Sequence, residues 1–137
     1  MKDVNELIRA EMAAVKSIDA ILGKLNEQSG KKELTSIRSN HVHAVDSLKR
    51  FASNSFKETS ESSGPWEAFA ASFTRGASLF GNKAAMRALK LGEEYGISKY
   101  KAALKEEGID IAIRDLIRSQ LLPQQEGHLN VINRYLQ

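Results

Sequence analysis

The sequence predicts an all-α protein: four helices arranged as two antiparallel hairpins. Three observations predict it. Apolar residues recur at helical spacing along most of the chain and strand-like alternation is absent. Only two prolines occur, Pro65 and Pro123. The connections between the periodic stretches run short, long, short, which is the layout of a four-helix bundle with one long crossover.

The first helix is read from about Val4 to Leu25, with a seam of Val4, Ile8, Val15, Ile18, Leu22 and Leu25. Its steps of three and four face a partner helix. The one polar seam position is Glu11. The second helix is read from about Glu33 to Phe56, with Leu34, Ile37, Ala44 and Leu48 inward and His41 as the polar exception. Its opposite face carries Ser36, Asn40, His43, Ser47 and Arg50 and is expected to meet solvent.

The crossover, about 57–82, begins with KETSESSGPW, a loop composition. Trp66, Phe69, Phe73 and Phe80 then fall at helical spacing. They predict a short amphipathic helix whose aromatic stripe either packs over the bundle or forms an interface. The third helix covers roughly Lys83 to Glu106, with Met86, Leu89, Ile97, Tyr100 and Leu104 inward and Glu93 among them. Gly92 and Gly96 on this helix are expected to allow close packing. Gly108 breaks it, and Asp110 is a candidate N-cap for the fourth helix. That helix runs towards Leu136 on a seam of Ile113, Leu116, Ile117, Gln120 or Leu121, Gln124, His128, Val131 and Tyr135. Pro123, inside it, must kink or split it.

Composition narrows the function. The 137 residues suit a single domain with a real core, 42% of them hydrophobic. The chain has no cysteine, which excludes disulfides, thiolate metal sites and cysteine nucleophiles. The net charge of +3 is scattered among acids, so no nucleic-acid footprint is expected. No signal peptide or membrane-spanning run is read, and a cytoplasmic protein is expected. No nucleophile–histidine–acid arrangement or glycine-rich phosphate loop is present.

Four stretches, LIRAEMAAV, SSGPWEAFA, LFGNKAAMRALKLGEEYGISKY and LIRSQLLPQQEGHL, together resemble a bacterial family of ferritin-like domains of unassigned function, related in fold to rubrerythrins and bacterioferritins. The resemblance spans nearly the whole chain. It implies a ferritin-like bundle and, by kinship, a di-metal carboxylate site.

Such a site takes a Glu from each of two helices and Glu-x-x-His from each of the other two. Here Glu11 and Glu93 are the inward acids. Glu11, if not a ligand, needs a Tyr, His or Arg partner across the core. The second helix offers Asn40-x-x-His43 on its polar face. His41 points inward, where a lone histidine is as a rule a hydrogen-bonded core residue. The fourth helix offers Gln125-x-x-His128, with Gln124 competing for the inward place, and an amide is a poor stand-in for a bridging carboxylate.

Axial position pairs Glu93 with Gln124, Gln125 and His128. With the first turn centred near residue 29, His41 lies about 9 Å along the axis from Glu11, so these two need not share a site. The metal candidates are therefore Glu11, His41, Glu93, Gln125 and His128. A polar network without a cofactor is favoured over a single iron or zinc ion, and both over a metal pair. The expected protein is a homo-oligomer, a dimer, that acts through assembly or partner binding. The alternative is a metal-dependent oxidase, peroxidase or metal-handling protein of stress response.

Overall fold

A computed structural model describes residues 2–23, 25, 28–51 and 82–137. The described residues are helical, with no strand among them. The first two helices are α1 (Lys2–Leu22) and α2 (Gln28–Lys49), and α3 spans Asn82–Leu104. A fourth rod comprises α4 (Ile111–Leu116), a π-helical stretch Ile117–Leu121 and α5 (Leu122–Leu136). The expected crossover helix, with Trp66, Phe69, Phe73 and Phe80, lies outside the described residues.

Each hairpin closes for local reasons. The α1–α2 turn begins at Gly23, and Leu25 within it is buried. The α3–α4 turn uses Gly108, whose φ of 85° is a left-handed conformation that costs glycine little. Asp110 then caps α4 as expected, its Oδ1 accepting from the Ala112 N–H at 2.8 Å. The second helix starts earlier than the periodicity suggested, at Gln28 and not near Glu33. Gly30 and the polar run KKE obscure its first turn in the sequence, and the buried apolar face of the helix begins only after them, at Leu34 and Ile37.

The core forms two apolar clusters. One joins Val4, Leu7 and Ile8 of α1, Ala44 and Leu48 of α2, Tyr100 and Ala103 of α3, and Ile113, Ile117 and Leu121 of the fourth rod. The other joins Ile18 and Ile21, Leu34 and Ile37, Met86 and Leu89, and Ile132. Each cluster takes residues from all four rods, so the hairpins share one core. The start of α1 lies with the start of the fourth rod, and the end of α2 with the end of α3. Because α2 ends in one cluster and α3 begins in the other, residues 52–81 join opposite ends of the molecule. That agrees with the long connection read from the sequence.

The fourth rod departs from the expected seam. Its buried residues are Ile113, Ile117, Leu121, Gln125, His128 and Ile132, and Gln125 takes the inward place anticipated for Gln124. Three successive steps of four residues would rotate the seam by about 40° each in a helix of 3.6 residues per turn. The π stretch absorbs that drift: the Leu122 N–H bonds to Ile117 O, five residues back. The wide turn includes Ser119, the residue whose carbonyl Pro123 cannot serve with an N–H. Pro123 sits in the first turn of α5, where no such bond is needed. The expected kink or split is thus a register device.

Leu48 is 0% exposed and Ile111 is 75% exposed. Leu48→Ala should cost about 2–5 kcal/mol, whereas Ile111→Ala should stay within about 0.5 kcal/mol. Urea unfolding monitored by circular dichroism measures both.

Candidate functional site: a buried carboxylate–histidine layer

Between the two apolar clusters lies a layer of polar side chains, at least one from every rod. Glu11, His41, Glu93, Gln125 and His128 are all buried, the last the most exposed at 6%. Burial of so many polar groups is tolerable only if each finds a partner. They do, in one connected chain.

The Tyr100 hydroxyl donates to Glu11 Oε1 at 2.6 Å. Glu11 Oε2 lies 2.5 Å from His41 Nδ1, and His41 Nε2 lies 2.9 Å from Glu93 Oε1. The same Glu93 oxygen is 3.1 Å from His128 Nδ1. Glu93 Oε2 accepts from Gln125 Nε2 at 2.7 Å. His128 Nε2 meets Asn40 Nδ2 at 2.9 Å.

The donors and acceptors fix the protonation. Both nitrogens of His41 face carboxylate oxygens, so both donate and the ring is an imidazolium. Burial by itself would lower its pKa. The charges of Glu11 and Glu93, and the hydrogen bonds to them, outweigh burial and hold it well above the usual range. Burial would likewise raise Glu93, but the charge of His41 and the bonds from His128 and His41 bring it down to about 2. Burial, then the adjacent Glu11, pushes the Tyr100 hydroxyl up, which keeps it a donor. For His128, the Asn40 amide donates to Nε2 and Nδ1–H donates to Glu93, the pattern of a neutral ring.

The five residues singled out in the sequence meet in this one layer, and two expectations about them are corrected. Glu11 and His41 do share a site. The first turn is centred near residue 25 and not 29, so Glu11 pairs with a level about two residues, roughly 3 Å, from His41. Asn40 does not face solvent. It is half-buried against His128, because α2 is flanked by the fourth rod as well as by α1. His43 is exposed as expected.

Tyr100, a core residue by its spacing, also belongs to the site. The only hint of its role was that a buried Glu11 needs a donor across the core. Gly96 also belongs to the layer, since a Cβ there would collide with the Gln125 amide. At Gly92 a Cβ would meet nothing within 4 Å, so close packing is required at only one of the two glycines.

The layer does not fit a metal pair. Two bridged cations need about four inward carboxylates. Among the described residues two are present, one imidazolium lies between them, and Asn40 and Gln125 supply amides where further acids would stand. The described residues define a helical protein with a buried, hydrogen-bonded carboxylate–histidine network. No protein-family model, curated protein or solved structure matches the chain.

Stability should depend on pH on both sides of an optimum. The folded pKa of Glu93, about 2, lies below its ordinary 4.5. Its contribution is present above about 4.5 and disappears as pH falls towards 2. His41 is raised, so its contribution is complete below about 6.5 and declines as pH rises through its folded value. Urea unfolding across this range should show both limbs, and His41→Asn should flatten the alkaline one.

Gly92→Ala should stabilise the protein by about 0.5–1 kcal/mol. Gly96→Ala should instead destabilise it, because displacing Gln125 forfeits a charge-assisted bond of about 1.5–3 kcal/mol. Adding Gln125→Ala to Gly96→Ala should remove the steric part of that loss, measurable as non-additivity in thermal unfolding.

Proposed function

We propose that this chain is a ferritin-like four-helix bundle whose buried layer has too few acids for a metal pair, and that it acts by assembly and not as an enzyme. The observation that carries this reading is the position of His41. Its two ring nitrogens occupy both Glu11 and Glu93, the only acids of the layer among the described residues. The long connection between opposite ends of the molecule and the parallel α1 and fourth rod support the ferritin-like arrangement.

Self-association is the form of assembly the surface favours. Leu91 and Tyr95 lie one turn apart on α3, 59% and 42% exposed. Exposed apolar residues grouped in this way suit an interface between copies. A second reading, a metal-dependent oxidase, peroxidase or metal-handling protein of stress response, draws on one observation. His41, Glu93 and His128 each offer a ligand atom, and these atoms lie within 4.8 Å of one another.

Sedimentation of the full chain should give a dimer, and Leu91→Glu should give a monomer of unchanged helicity. A wild-type monomer at all concentrations would overturn the assembly reading. Protein grown with added iron should show no peroxide-dependent turnover, and two irons per chain with such turnover would establish the rival.

A further inference from the structure

We infer that the layer, although short of acids for two cations, is built to hold one divalent first-row transition ion through His41 Nε2, Glu93 Oε1 and His128 Nδ1. This rests on the reading of the layer as an acid-depleted metal site. Two atoms bound at right angles to one ion, each at about 2.1 Å, lie about 3.0 Å apart. Glu93 Oε1 lies 2.9 Å from His41 Nε2 and 3.1 Å from His128 Nδ1. Two imidazoles and one carboxylate, with ligand atoms within 4.8 Å of one another, are the donor types of the facial set in mononuclear iron(II) sites and also suit zinc.

The stronger argument is the second layer of contacts. Metal-bound histidines almost always donate their outer N–H to a carboxylate, a backbone carbonyl or water. His41 Nδ1 is held by Glu11 at 2.5 Å, and Glu11 is held in turn by Tyr100 at 2.6 Å. The outer oxygen of Glu93 is held by Gln125 at 2.7 Å. His128 Nε2 is met by the Asn40 amide at 2.9 Å. All three donors are thus oriented from behind, and their ligand atoms lie within 4.8 Å of one another.

Loading replaces the two N–H hydrogens that point at Glu93. The proton on His41 Nε2 leaves to solvent. The proton on His128 Nδ1 is exchanged for one on Nε2, which then donates to Asn40 once that amide turns to present its oxygen. Asn40, half-buried, is the member of the layer nearest solvent and marks the side of entry.

The test titrates metal-free full-length protein with cobalt(II), followed by visible absorption, and then with zinc(II), followed by equilibrium dialysis with elemental analysis. One ion per chain is expected, with the ring protons of His41 and His128 paramagnetically shifted by cobalt. Glu93→Gln and His128→Ala should abolish binding. Glu11→Gln should keep the stoichiometry but weaken affinity by about 10–100-fold, and His43→Ala should change nothing. Should either of the first two variants fail to fold, the shifted histidine resonances of the wild-type protein still locate the ion.

No ion bound, or binding that leaves those resonances unmoved, overturns the inference and leaves the assembly reading standing. Two ions per chain would overturn both the single-ion inference and the acid-depleted layer, and would be recognised by stoichiometry alone.

Discussion

His41 donates from both ring nitrogens, to Glu11 on one side and Glu93 on the other, and most of the molecule is arranged around that bridge. It joins three helices and both hairpins through one buried cation. Each carboxylate would be costly to bury alone. Together with the imidazolium and their other donors they form a connected network, and Tyr100, Gln125 and His128 satisfy the remaining acceptor positions. The pair of apolar clusters on either side excludes water from the layer, which strengthens each of its interactions and makes any gap in it expensive. The layer therefore sets the axial register of the four rods, a job that apolar packing performs less selectively.

The irregular fourth rod follows from that constraint. Gln125 and His128 must reach the layer while Ile113, Ile117 and Leu121 fill the cluster below it. A regular helix cannot align residues spaced four apart over three steps. The π stretch supplies the missing rotation, at the place where Pro123 already denies the helix one hydrogen bond. Gly96 plays the complementary part on α3, leaving room for the Gln125 side chain to lie against Glu93. Two local departures from ideal helix chemistry thus serve one contact.

The composition of the layer separates two kinds of chemistry. A metal pair needs negative charge from every rod. Here α2 supplies an imidazolium and an amide, and the fourth rod an amide and a neutral imidazole, and the acids of α1 and α3 both pair with His41. What this donor set retains is proximity: three ligand atoms within 4.8 Å of one another, held from behind by Glu11, Gln125 and Asn40. Register lock and single-ion site are compatible uses of one geometry, since the protons that close the network occupy the positions an ion would take.

Much of this was legible in the sequence. Helical periodicity, the turn chemistry of Gly108 and Asp110, and the inward placement of Glu11, His41, Glu93 and His128 follow from spacings of three and four residues and from the cost of burying charge. The sequence by itself determined the helical class and four members of the layer, Glu11, His41, Glu93 and His128. Tertiary structure alone decided who meets whom. The start of α2 fixed the level at which Glu11 meets His41, and the π stretch chose Gln125 over Gln124. The flanking of α2 by a second rod drew Asn40 inward. Periodicity records which face of a helix is apolar, but not where along its axis a neighbour stops or how many neighbours it has. Those depend on turn length and on contacts between residues distant in the chain.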